Sequence, residues 1–180
     1  MKKKLAVLFP GVRYGEDCPL LYYPGMKYEE KGYELVTADY QMNGENSLEH
    51  LKDFAEVAEG NVKKQLENMN LSQYEKIVFV EKSIGTVIGM KIEDELELEH
   101  VTHVVLTPIH NTVSLLNEKR NISYMATGNK DNMIDLSKLR QACKKYKIPL
   151  TVIKDVGHRL EKGTDTKRNL KILQEIMKKI

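Results

Sequence analysis

Short apolar runs and longer segments of helical periodicity alternate along the chain. The runs are rich in β-branched and aromatic residues, which predicts six strands at residues 5–9, 33–38, 77–80, 101–106, 122–126 and 149–153. Apolar residues three and four positions apart predict helices at residues 18–31, from Asn46 or Ser47 to about Met69, from Ile84 towards the acidic run 93–99, and at residues 112–116, 134–146 and 166–180. This alternation indicates an α/β fold: a three-layer sandwich with a mostly parallel sheet of about six strands and helices on both faces.

The predicted helices and connections describe one domain without a cap. Pro24-Gly25 interrupts the first helical segment, which is therefore expected to be one kinked helix or two short pieces. The connection at residues 107–121 is about fifteen residues long, too short for a separate cap domain. With no repeat or linker, the 180 residues are expected to form a single domain, 1–180. The last helix is expected to turn four apolar residues inward: Leu170, Leu173, Ile176 and Ile180.

Charge and cysteine content narrow the class of protein. The formal net charge is +2, without the strongly basic character typical of nucleic-acid binding, so no nucleic-acid partner is expected. No segment approaches the roughly 20 apolar residues of a membrane span, and the first apolar run is too short for a signal peptide. Cys18 and Cys143 have no metal-ligand spacing, so we expect reduced thiols in a cytoplasmic protein. The expected assembly is a monomer or a homodimer, and the sequence does not distinguish the two.

Ser83 lies where the third predicted strand turns abruptly into a helix. In a parallel sheet the loops that follow the strands meet at one edge, where open α/β folds do their chemistry. Asp131 follows the fifth predicted strand and His158 the sixth, so a hydroxyl, a carboxylate and an imidazole are expected together, as in a nucleophile–base–orienter triad. Each residue also has a simpler interpretation: a common Ser-x-Gly, a helix-capping Asp and a loop His. His110, after the fourth strand, is the rival base.

The chain resembles the α/β-hydrolase superfamily from about Leu5 to its last helix, because Ser, Asp and His follow each other in the order of that superfamily. It is similar to a group of short, lidless bacterial members that open with Phe-Pro-Gly and Pro-Leu-Leu-Tyr-Tyr, as residues 9–11 and 19–23 do here. The resemblance implies a carboxylesterase- or thioesterase-like serine hydrolase of a small acyl substrate, with no metal or organic cofactor. It also implies roles for five residues: nucleophile Ser83, acid Asp131, base His158, and oxyanion-hole amides of Val12 and Ile84.

Two further residues are weaker candidates for substrate contact. Arg13 follows the expected oxyanion loop, and its guanidinium could bind an anionic group of the substrate, although an exposed loop arginine is the simpler interpretation. His110 is expected on the same edge, in a shallow, open pocket that Val12, Arg13, Ile109 and the loop around Met133 would also line. The other histidines are expected at the surface or at strand ends: His50, His100 and His103.

The sequence departs from the usual G-x-S-x-G elbow at Glu81, two residues before the serine. Small residues flank the serine in such elbows because the turn crowds the neighbouring helix and strand. Glu81 is therefore expected to point out of that crowd, or else to loosen the elbow. This departure, with the absence of a lid, motivates an alternative function, a non-catalytic metabolite-binding protein. A nucleotide-binding α/β domain is a third hypothesis, since residues 9–15 form a Gly-containing loop, but they lack the dinucleotide and P-loop motifs.

Overall fold

The computed structural model describes residues 3–41 and 51–180 of the chain. The predicted cap residues Asn46 and Ser47, and also His50, lie outside the described residues. A 3-10 turn at Leu71–Gln73 precedes the third strand. No helix in the described ranges is both long enough and apolar enough to cross a membrane.

The elements in chain order are β1 (Lys3–Phe9), α1 (Pro19–Glu30), β2 (Glu34–Thr37), α2 (Leu51–Glu67), β3 (Tyr74–Lys82), α3 (Gly85–Glu95), β4 (Val101–Leu106), α4 (Thr112–Leu115), β5 (Asn121–Gly128), α5 (Leu136–Lys145), β6 (Leu150–Ile153) and α6 (Thr166–Met177).

The described strands form one parallel sheet of six strands, in the order β2-β1-β3-β4-β5-β6. The direction in which strands are added reverses at β1, because β2 pairs with one of its edges and β3 with the other. At such a reversal the connections leave towards opposite faces of the sheet and open a crevice outside the carboxyl ends of the strands. The loops that follow Phe9 and Lys82 border this crevice.

Helices cover both faces of the sheet. On one face, α2 and α3 pack against the side chains of Leu5, Val7 and Phe79, and α5 extends this layer over β4 and β5. On the other face, α1 and α6 pack against residues of β1 and β3 such as Ala6 and Val80. The strands are continuous apolar runs because both of their faces are buried. The three-layer α/β sandwich predicted from the sequence is confirmed.

The structure decides between the two alternatives for the first helix and corrects two other local expectations. α1 is a single helix that contains Pro24. β3 extends beyond the predicted end at Val80 and includes Glu81 and Lys82, because both residues pair in register with β4. Leu170 was expected to face inward but is 60% exposed, since the fully buried positions of α6 are Ile172 and Ile176. At about 100° per residue, Leu170 lies about 200° from Ile172 and so faces solvent.

Candidate active site

Ser83 follows β3 directly and begins the turn into α3. Its backbone φ is 58°, in the left-handed region that non-glycine residues seldom adopt. Hydrogen bonds hold this conformation. The Ser83 N–H donates to Leu106 O (3.1 Å), and Ser83 O accepts from the N–H (3.0 Å) and the hydroxyl (2.6 Å) of Thr86. A sharp turn of this kind projects the serine hydroxyl beyond the end of the sheet.

Two glycines give the turn the room that it needs. A Cβ atom at Gly85 would lie 2.8 Å from the carbonyl carbon of Phe9 and closer still to its oxygen, so α3 begins against the β1 main chain. A Cβ at Gly11 would lie 3.1 Å from the Ser83 Cβ. The start of α3, the end of β1 and the serine turn are therefore packed in van der Waals contact. The elbow is tight rather than loose.

Ser83, His158 and Asp131, predicted from three separate loops, lie in one chain of hydrogen bonds. His158 Nε2 is 2.7 Å from Ser83 Oγ. His158 Nδ1 is 3.0 Å from Asp131 Oδ1 and 2.9 Å from Oδ2. An ionised carboxylate can only accept hydrogen bonds, so Nδ1 carries the ring proton and the Nε2 lone pair faces the serine hydroxyl. This is the hydrogen-bond pattern of a triad.

Asp131 is buried and held by further donors. Burial alone would raise the pKa of its carboxyl, but the bond from His158, the Met133 N–H (2.9 Å) and the Thr127 hydroxyl (3.2 Å) favour the anion, and the pKa is lowered. Asp131 therefore stays ionised around neutral pH and can accept the hydrogen bond of the imidazole N–H. The helix that follows is capped instead by Asp135, whose side chain accepts from the Ser137 and Lys138 amides. The simpler interpretation of Asp131 as a helix cap is therefore wrong.

The loops that carry Asp131 and His158 are joined to each other. The Lys130 N–H donates to Val156 O (3.0 Å), and the Asp155 N–H donates to Asn129 Oδ1 (2.6 Å). A Cβ at Gly128 would collide with Val156 O, so the two backbones approach as closely as a glycine allows. These contacts fix the distance between the carboxylate and the imidazole through the main chain.

The loop after β1 supplies the other predicted amide. Gly11 and Tyr14 exchange two main-chain hydrogen bonds of 3.0 and 3.1 Å, and Arg13 inside this turn has a φ of 55°. Val12 lies in the turn, and Val12 and Ile84 both line the cavity that contains Ser83. Neither N–H donates to another residue in the described part of the chain. Both amides are thus available to an oxygen atom bound beside Ser83, and their oxyanion role remains a prediction.

The cavity over Ser83 has a volume of about 600 Å³. Arg13, Ile109, His110 and Met133 line it, as expected from the sequence. The ring that contacts Ser83 belongs to His158. His110 lies exposed at the rim, where its main-chain N–H donates to Met133 O (2.9 Å) and its carbonyl accepts from the Val113 N–H (3.2 Å). Across the described ranges, no group of three His, Cys, Asp or Glu side chains could hold a metal ion.

Glu81 points into the crowded interior, which contradicts the expectation that it would turn outward or loosen the elbow. Its side chain is fully buried, with Oε1 3.1 Å from Nδ1 of His103, which is also fully buried. The carboxylate lies over Gly89 of α3, where a Cβ would be 3.0 Å from Glu81 Cδ and closer still to Oε1. A glycine one turn into the helix, rather than one in the strand, therefore makes the room. His103 was expected at the surface or at a strand end, and this too was wrong.

The Glu81–His103 pair continues into a chain of ionisable side chains that leads from the interior to the exposed Asp94. His103 Nε2 lies 3.1 Å from Glu93 Oε2, which in turn contacts the Arg120 guanidinium. Arg120 also donates to both carboxylate oxygens of Asp94, at 2.9 Å each. Burial raises the pKa of Glu81, and the charges of His103 and Arg120 oppose that rise. The sequence signal for this network was the presence of ionisable residues, Glu81 and His103, in the otherwise apolar strands β3 and β4. The signal did not show which residues pair, because the partners are far apart in the chain.

Comparisons with known proteins place the fold. No protein-family model and no curated protein sequence matches the chain. A serine hydrolase homologue from Coxiella burnetii superposes with a TM-score of 0.67 at 13% identity, over 100% of this chain and 86% of that one. A lidless α/β serine hydrolase from Xanthomonas campestris superposes with a TM-score of 0.67 at 11% identity, over 97% and 79%. An esterase from Pyrococcus furiosus gives a TM-score of 0.65 at 13% identity, over 98% and 83%.

At these identities the comparisons define the architecture and not the reaction. The chain has the α/β-hydrolase fold, in agreement with the resemblance drawn from the sequence. Because one fold can carry unrelated activities, the reaction has to be argued from the geometry around Ser83.

Proposed function

We propose that the protein is a serine hydrolase of small acyl substrates that acts through Ser83, His158 and Asp131. The observation that carries the proposal is the hydrogen-bonded chain from Ser83 Oγ through the imidazole to both oxygens of a buried carboxylate. The left-handed serine turn supports it, because a strained φ at a polar residue in a crevice is typical of functional sites.

In the proposed reaction His158 removes the Ser83 proton as Oγ attacks the substrate carbonyl. Asp131 keeps the imidazole in the reactive tautomer and stabilises the imidazolium that forms. The Val12 and Ile84 amides donate to the oxyanion, and one donor of this kind contributes about 2.7–4 kcal/mol in a well-studied protease. His158 then protonates the leaving group, and water, activated by the same base, hydrolyses the acyl-enzyme. No step requires a metal or an organic cofactor.

The dimensions and lining of the cavity support a small acyl substrate. A volume of about 600 Å³ is within the range of about 300–1,000 Å³ that is typical of sites for small molecules. The apolar lining between α2 and α3 suits the acyl group of an ester or thioester. The charged groups at the cavity edge are candidates for contact with a polar leaving group or acyl tail: Arg13, Glu56, Lys91 and His110.

Covalent labelling with a fluorophosphonate probe tests the proposal. The probe should modify Ser83 of the wild type, and Ser83→Ala should lose the label. Ser114→Ala is the matched control, because Ser114 is an exposed serine on nearby α4 whose hydroxyl bonds to Asn111 O (2.8 Å) rather than to His158. Equal labelling of the wild type and Ser83→Ala, or no labelling of a folded wild type, would refute the proposal. A panel of esters and thioesters of increasing chain length then defines the substrate.

The alternative of a non-catalytic binding protein rested on the absence of a lid and on Glu81, which was expected to disturb the elbow. Because Gly89 makes room for Glu81 and Ser83 keeps its turn, this residue no longer favours the alternative. Tight binding of a metabolite without turnover, combined with an unreactive Ser83, would restore it. The Gly-containing loop at residues 9–15, which motivated the nucleotide hypothesis, forms the tight turn that holds Val12.

A further inference from the structure

Lys82, the last residue of β3, has a buried ammonium group beside the candidate active site. Only 1% of the residue is exposed, and its side chain leaves the sheet on the face opposite to that of Glu81. Its Nζ donates to the main-chain oxygen of His158 (3.2 Å) and lies 4.9 Å from the centroid of the Tyr14 ring. A single side chain therefore contacts the loop that carries the candidate base and the loop that carries the candidate oxyanion amide.

The surroundings of Lys82 indicate that its buried amine does not stabilise the fold. The groups that face it from the loops after β1, β5 and β6 are Tyr14, Cys18, Asp131, Arg159 and Glu161. Burial lowers the pKa of Lys82 to about 7, despite the attraction of Asp131 and Glu161. A methionine would fill a similar volume without the cost of burying an amine. Packing thus explains the length of this side chain but not its nitrogen.

The partners of Lys82 are themselves held in place. The Tyr14 hydroxyl accepts from the Leu20 N–H (3.0 Å), and the Arg159 guanidinium stacks over the same ring, 5.6 Å from its centroid. In the loop after β6, which carries His158, Val156 O accepts from the Lys130 N–H (3.0 Å). This bond anchors the start of the loop but not the main chain of His158. The Lys82 amine supplies the hydrogen bond to the carbonyl of that residue.

We propose that Lys82 is a positioning residue, which holds the His158 main chain so that the imidazole stays between Ser83 and Asp131. This inference rests on the proposed hydrolase function for its effect on rate, but the tether itself can be measured without activity. Losing the hydrogen bond should let the 156–160 segment open more often. The His158 main chain would also be free to shift while the segment is closed, and a misplaced imidazole lowers kcat rather than substrate affinity.

The test compares Lys82→Met, which removes the amine, with Lys82→Gln, which keeps a neutral N–H donor on a shorter side chain. Lys144→Met is the matched control, because Lys144 is an exposed lysine in the last turn of α5. In Lys82→Met, amides of residues 156–160 should exchange hydrogen about fivefold faster than in the wild type. Fluorophosphonate labelling of Ser83 and kcat should each fall about tenfold, with KM within about twofold. Lys82→Gln should be intermediate, and Lys144→Met should match the wild type.

Each outcome decides the proposal. Unchanged exchange in the 156–160 segment of a folded Lys82→Met protein would overturn it, as would faster exchange with an unchanged labelling rate. If Lys82→Met does not fold, Lys82→Leu, which also lacks the amine, supplies the same comparison, and unchanged exchange or unchanged labelling in a folded Lys82→Leu protein would also overturn it. An unreactive Ser83 in the wild type refutes the hydrolase function instead, and the exchange comparison then still shows whether the tether exists.

Discussion

Replacing Gly89 by alanine probes how the elbow accommodates Glu81. Alanine is a better helix former than glycine, and Gly89→Ala in the middle of α3 would ordinarily stabilise the helix by about 0.5–1 kcal/mol. Here the new methyl group would lie 3.0 Å from Glu81 Cδ and 3.2 Å from Cγ, and closer still to Oε1. The carboxylate cannot simply move aside, because it is fully buried and its Oε1 contacts the buried His103.

The expected magnitude follows from these two opposing effects. Overpacking of a filled interior costs about 1–3 kcal/mol, which exceeds the gain in helix propensity. Gly89→Ala should therefore destabilise the protein by about 1–2 kcal/mol, or lower Tm by roughly 3–6 °C for a chain of this size. In a Glu81→Ala background the obstacle is gone, and Gly89→Ala should stabilise by up to about 1 kcal/mol. The change of sign corresponds to a coupling of about 2–3 kcal/mol.

Urea unfolding of the four proteins in this double-mutant cycle measures the coupling. Gly60→Ala is the matched control, because Gly60 also lies inside a helix but, among the described residues, no atom beyond its own helix backbone is within 4 Å of its added Cβ. It should stabilise the protein by about 0.5–1 kcal/mol with or without Glu81. The reasoning is refuted if Gly89→Ala is as stable as Gly60→Ala while Glu81 is present, since the carboxylate would then not lie over the helix.

Three further perturbations test other parts of the site. Asp131→Asn should lower kcat by about 10²–10⁴-fold with little change in KM, because the amide cannot hold the imidazole in its reactive tautomer; steady-state kinetics measures this, and a loss below about threefold would contradict the role of Asp131. Gly85→Ala should destabilise by about 3 kcal/mol or more in urea unfolding, because its Cβ would meet the main chain of Phe9 rather than a movable side chain. Lys82→Met should be more stable than the wild type at pH 7, and the difference should shrink as pH rises to about 10, by at most about 1.4 kcal/mol per pH unit. The sign follows because the lowered pKa of about 7 leaves the folded chain with fewer bound protons than the unfolded chain above that pH; urea unfolding at several pH values would contradict it if the difference stayed constant.

The sequence was sufficient to predict the architecture and the three residues that meet beside β3. Strands buried on both faces are continuous apolar runs, and a parallel sheet brings every following loop to one edge. Ser83, Asp131 and His158 could therefore be placed together without knowledge of the strand order. Their contact at hydrogen-bond distance depended on details that no pattern carries, such as the close approach of Gly128 to Val156.

The charged residues beside Ser83 could not be placed from the sequence. The local sequence pattern predicts that Glu81 and Lys82 follow the end of a strand, because charged residues seldom lie inside a buried sheet. Their burial depends on distant partners: His103 on β4 for the first, and the His158 carbonyl for the second. One available signal was Gly89, which lies on the same face of α3 as Gly85 and leaves space opposite Glu81.

The elbow thus has a buried charge on each face of the sheet, and the two charges act on different neighbours. Glu81 contacts His103 of β4 and lies against α3. Lys82 hydrogen-bonds the end of β3 to the loop after β6, which carries His158. Buried charges seldom add net stability even when they are paired, so their presence on both sides of the same serine is better explained by the geometry that they fix. If this is correct, removing the Lys82 amine should lower reactivity at Ser83 although it stabilises the fold at pH 7, whereas Gly89→Ala should lower the free energy of unfolding first.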